Sequence, residues 1–146
     1  MYFSKRDDNR ESRVPVRSLL TVLAIVVATL LAAFFAFVGY HKAFAPLAEL
    51  AQHRVWTLAL PEWAGRAVGW SELLLAAVLL GFALPRLRLW AAGAALLLII
   101  NQCVAAAVHW SSGEGDALPQ NAVLVLLLGL VGLVAWLQQK PMGETS

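Results

Sequence analysis

The chain reads as an all-α integral membrane protein, a four-helix bundle with a short interfacial helix between its first and second spans. Three observations carry that reading. Sixty per cent of the 146 residues are hydrophobic and only 14% are charged, a balance too apolar for a soluble domain of this length. Four runs, Ser18 to Tyr40, Gly65 to Leu84, Leu89 to Trp110 and Pro119 to Leu137, each approach the roughly 20 helical residues needed to cross the hydrocarbon core. Inside the second run stands one acid, Glu72. A charge at that depth costs on the order of 3 kcal/mol on insertion scales, so it is expected to face protein.

The order of elements follows from the punctuation between the runs. Met1 to Arg17 is a polar, basic tail, expected to be flexible, with Lys5, Arg6, Arg10, Arg13 and Arg17. The first run is longer than a signal-peptide core and is expected to stay as an anchor. It sets Thr21, Ala28, Ala32, Phe35, Gly39 and Lys42 on one face, a mostly small stripe ending in a base that can snorkel to water. From His41 to Trp63 the chain is too long for a turn and too apolar for a solvated linker. A helix opened by Pro46 and running to about Arg54 is expected there on the membrane surface, with Trp56 and Trp63 in the headgroup region.

The second span aligns Gly65, Gly69, Glu72 and Ala76 on one face, where small side chains let another helix approach the acid. Pro85-Arg86-Leu87-Arg88 is a short hinge that turns the third span antiparallel. That span places Ala91, Ala95, Leu98, Gln102, Ala106 and His109 along one face, with Asn101 beside it. The last span presents Asn121, Val125, Gly129, Gly132 and Trp136. The division is therefore 1–17 tail, 18–138 bundle and 139–146 second tail.

The small net charge of +2 matters less than its distribution. Eight Lys and Arg fall in the two tails and the Pro85 hinge; three, Lys42, Arg54 and Arg66, fall on the other side. By the positive-inside bias both termini are cytoplasmic. Tyr40, His41, Lys42, Glu72, His109 and Asn121 then converge on the outer half, with Glu72 near the outer end of its helix.

Several function classes lack support. No basic nucleic-acid surface, phosphate loop, nucleophile elbow or metal-binding helix motif is present. The single Cys103 excludes an enzyme passing electrons through its own disulfide, and it reads as a small buried hydrophobe. His41 and His109 sit at helix ends rather than facing one another, so haem is not expected. His53 has no companion at ligand spacing, so no metal site is expected either. Two readings of the polar set stay open. Glu72 paired with Lys42, or bonded to Asn101, Gln102 or Tyr40, locks the bundle without chemistry; alternatively Tyr40, Lys42, Glu72, Asn101, Gln102, His109 and Asn121 line a ligand pocket.

Gly39-Tyr40-His41-Lys42, Leu60-Pro61-Glu62-Trp63, Gly69-Trp70-Ser71-Glu72-Leu73, Pro85-Arg86-Leu87-Arg88, His109 and Pro119-Gln120-Asn121, in this order, resemble the DoxX family over Leu19 to Leu137. The resemblance implies a four-helix protein of the bacterial inner membrane. Some members of that family are subunits of thiosulfate:quinone oxidoreductase, and others serve membrane redox complexes with soluble partners or methylamine-utilisation systems. Lys42, Glu72, His109 and Asn121 stand where the family tends to keep polar residues. The expectation is an accessory subunit of a membrane redox or envelope-stress system, not catalytic alone, with a quinone or lipid pocket and no intrinsic cofactor. Its expected partners are the bilayer, a soluble or membrane redox protein and a second copy of itself, and no nucleic acid. A small-molecule or lipid carrier and an assembly scaffold are the alternatives.

Overall fold

The computed structural model describes residues 16–138. Within them the elements are α1 (Val16–Phe44), α2 (Leu47–Gln52), a 3-10 turn (Trp56–Ala59), α3 (Glu62–Leu80), α4 (Arg88–Ser111) and α5 (Leu118–Leu137), with no strand. Further 3-10 turns at Gly81–Ala83 and Pro85–Leu87 join α3 to α4, and one at Gly115–Ala117 leads into α5. Four of these helical stretches are long and apolar enough to cross a membrane, and the expected all-α bundle is the fold observed. Val16 and Arg17, read as the end of the tail, already belong to α1; the rest of that tail and the whole of 139–146 lie outside the described residues.

In the bundle α1 packs on α3 and α5, α4 packs on α5 and α3, and the four spans close into a ring. The core is built of small residues interleaved with a few large ones. Ala28, Ala32, Ala76, Ala91 and Ala95 are buried around Phe35, Leu79, Phe82, Leu98 and Leu128. Small side chains at the contact let helices approach closely, which supplies the dispersion that must hold a bundle when lipid competes for every apolar face. Leu30, Leu74, Leu96 and Leu126 point outward. Trp63 and Trp110 are exposed at one end of the bundle and Trp90 at the other, the placement of aromatic belts at two interfaces.

The tightest seam is between α1 and α3. A Cβ built on Gly69 would lie 2.6 Å from the Ala43 nitrogen and 2.8 Å from the Gly39 carbonyl oxygen, so backbone meets backbone there. All four stripe residues of α3, Gly65, Gly69, Glu72 and Ala76, are buried as their spacing predicts. Residue 72 lies about midway along the 62–80 helix rather than near its outer end.

Other expectations are corrected. On α5 the buried face is Asn121, Leu124, Leu128, Val131, Val134 and Ala135, while Gly129 and Gly132 are only half-buried and Trp136 is exposed. Cys103 lies on the outside of the bundle. The surface helix forms, shorter than expected, and ends where Arg54 takes a left-handed φ of 48°. Trp56 turns inward and is buried, whereas Trp63 stays outside.

Candidate functional site

Lys42 lies in the last turn of α1 and is 4% exposed, so it does not snorkel to water. The Gly39–Gly69 contact brings α1 so close to α3 that the ammonium reaches the acid instead. Lys42 Nζ donates to Glu72 Oε1 at 2.6 Å. From α4, Asn101 Nδ2 donates to the same oxygen at 2.6 Å, while the buried Glu72 Oε2 has no hydrogen-bond partner among the described residues. The ring of Trp56 covers the ammonium at 5.4 Å, a cation–π contact on its other side. One charge pair, one amide and one indole thus knit α1, α3, α4 and the connecting turn.

Arg66 closes the end of α1. Its Nη1 donates to the carbonyls of Lys42 at 3.0 Å and Ala45 at 2.6 Å, and its Nη2 reaches Glu62 Oε1 at 3.3 Å. Terminal helix carbonyls lack intrahelical donors, and a guanidinium with several N–H groups supplies them.

Beside Lys42 a cavity of about 380 Å³ lies between α1, the Trp56 turn, α4 and α5. Lys42, Trp56, Gln102, His109 and Asn121 line it with the apolar Val38. At its rim, His109 Nδ1 and Glu114 Oε2 are 2.7 Å apart, and Arg54 approaches Asp116 at 3.7 Å, joining the two loops at this end. Two buried donors, Trp56 Nε1 and Asn121 Nδ2, have no hydrogen-bond partner among the described residues.

The fold thus divides the candidate residues. Lys42, Gln102, His109 and Asn121 share the cavity; Glu72 and Asn101 stand behind Lys42 and do not line it. Tyr40 is 60% exposed and packs its ring against Phe44 at 4.9 Å, away from both. Of the four partners considered for Glu72, Lys42 and Asn101 are bonded to it. Sequence reasoning missed Trp56, Arg66 and Glu114. A base four residues after Glu62 in an apolar helix was the one available signal for Arg66, since its other acceptors are the backbone carbonyls of Lys42 and Ala45.

Four membrane-length helices closed around a buried ion pair define a multi-pass membrane protein with a polar cavity at the end of the bundle where α1 and α4 terminate. Residues 26–133 match the DoxX-like family, and the chain belongs to it. Neither a curated protein nor a solved structure matches the chain.

Proposed function

We propose that this protein is an accessory subunit of a bacterial inner-membrane redox system, with cytoplasmic termini, that holds the head of a quinone beside Lys42 while a partner protein carries the catalysis. The observation that carries this reading is the chemistry of the cavity wall. Trp56 and Asn121 both belong to that wall and each holds a buried donor with no acceptor among the described residues, and the Trp56 ring lies over the ammonium of Lys42. A buried polar group without a partner costs about 1–3 kcal/mol, so such donors favour a ligand that brings acceptors. A quinone head offers two carbonyl oxygens and no donor. The cavity volume falls in the range of small-molecule sites, about 300–1,000 Å³.

A scaffold reading is favoured by one separate observation. Glu72 is 0% exposed, and one of its oxygens already accepts two hydrogen bonds, as suits a residue that only locks helices. Calorimetric titration of the full chain in lipid nanodiscs with a short-chain ubiquinone separates the two. Saturable binding is expected, weakened roughly two- to tenfold in Asn121→Leu and again in Trp56→Phe, the loss of one neutral hydrogen bond each. No saturable binding in the parent, or undiminished binding in the double variant, would leave the scaffold reading standing.

A further inference from the structure

Next to this cavity, in a hollow that shares Val38, Lys42, His53 and Val55 with it, the fold gathers three metal-ligating side chains from one short stretch of sequence. The ligand atoms of His41, Glu49 and His53 all lie within 4.8 Å of one another, and His41 Nε2 is 2.7 Å from Glu49 Oε1. We infer that these three residues bind a divalent transition-metal ion of the Zn²⁺ type at the membrane–water boundary. The inference does not depend on quinone binding.

The chain folds this way for local reasons. After α1, Ala45 and Pro46 turn the backbone so that α2 runs back across the helix end, and the buried Leu50 pins α2 to the bundle. Glu49 is thereby carried to His41. The His53 backbone N–H donates to the Glu49 carbonyl at 3.3 Å, which holds the second imidazole at the end of the same short helix. The His41 ring stacks on Phe37 at 5.6 Å and meets His53 edge-on at 6.0 Å, so its orientation is restricted. The three residues line a hollow of about 330 Å³ together with Phe37, Val38 and Val55, which leaves room for an ion and a water or substrate ligand.

Donor type and spacing select the ion. Two imidazoles and one carboxylate suit Zn²⁺, Cu²⁺, Ni²⁺ or Fe²⁺, whereas Mg²⁺ and Ca²⁺ prefer sets of oxygen ligands. Bonds of about 2.0–2.1 Å in tetrahedral array put ligand atoms roughly 3.3 Å apart. The His41–Glu49 pair, now at 2.7 Å, must therefore open by about half an ångström and His53 must close in, movements within reach of half-buried and exposed side chains. With three protein ligands, a fourth position stays open, as in catalytic rather than closed structural sites. Lys42 borders the hollow, but its ammonium is held by Glu72, and Glu49 supplies a negative charge to the ion.

The test uses the full chain purified in detergent without a polyhistidine tag. Zn²⁺ titrated calorimetrically should bind at one equivalent per chain, and Co²⁺ should give the visible absorption of a four- or five-coordinate site. His53→Ala and Glu49→Gln alter side chains on the surface, so both variants should fold, and each should weaken Zn²⁺ binding by more than about tenfold, at least the loss seen when a ligand's supporting shell is removed. His109→Ala should bind as the parent does, since His109 lines the neighbouring cavity. Absence of Zn²⁺ binding in the parent overturns the assignment, as does parental binding in both His53→Ala and Glu49→Gln.

Discussion

Lys42 and Glu72 face each other at 2.6 Å with 4% and 0% of their side chains exposed, so each is the other's counter-ion in the interior of the bundle. Removing one partner strands the other charge, a loss of about 3–5 kcal/mol, whereas replacing both with apolar groups of similar shape is often neutral. Lys42→Met and Glu72→Gln should each lower the thermal stability of the detergent-solubilised bundle sharply. The Lys42→Met/Glu72→Leu double variant should recover most of that loss. Strictly additive losses would show that the pair is not coupled. Because Lys42 lines the cavity and Glu72 does not, the double variant also tests whether ligand binding needs the ammonium once the fold is secured.

The proposed orientation of the bundle rests on where the Lys and Arg residues lie. The end of the bundle that holds the cavity carries Lys42, Arg54 and Arg66, and Lys42 is buried there against Glu72. Arg17, Arg86 and Arg88 lie at the opposite end, where both described termini also lie. An alkaline phosphatase fusion in the Ser111 to Leu118 loop should be active and one at the C-terminus inactive. The reverse pattern would place the cavity on the cytoplasmic side.

Much of the architecture was legible because apolar runs of membrane length are bounded by Pro, Gly and charge, and because Glu72 marks a face of α3. Around that acid, Gly65, Gly69 and Ala76 were read onto the buried side, and the structure keeps them there. On α5 the two polar residues, Gln120 and Asn121, stand near its start and leave the rest of the helix apolar all round. Lipid is as apolar as leucine, so spacing alone does not tell a packed face from a lipid-facing one. Small size therefore points to the Gly129–Gly132 stripe, whereas Leu128 and Val131 are the residues packed inside. The same ambiguity hides the outward position of Cys103. The polar residues of the site were visible singly, but their partners were not. Arg66 bonding to carbonyls of α1, Trp56 folding over Lys42 and His53 meeting His41 all depend on how the 45–61 segment crosses the end of the bundle.

Glycine substitutions test the packing of the two faces against each other. At Gly69 a methyl group would sit 2.6 Å from the Ala43 nitrogen, 2.8 Å from the Gly39 oxygen and 2.9 Å from Lys42 Cβ. Two of these three are backbone atoms, so relief requires α1 and α3 to move apart rather than a side chain to turn. Overpacking of this kind costs about 1–3 kcal/mol, and the separation also stretches the Lys42–Glu72 bond that crosses the same seam. At Gly129 a methyl group meets nothing within 4 Å, and alanine is the better helix former. Gly69→Ala should therefore unfold at a markedly lower temperature than the parent in detergent, with Gly129→Ala equal to it or slightly higher. A Gly69→Ala protein as stable as the parent would mean that α1 and α3 do not touch at this point, and the position of Lys42 would have to be redrawn with them.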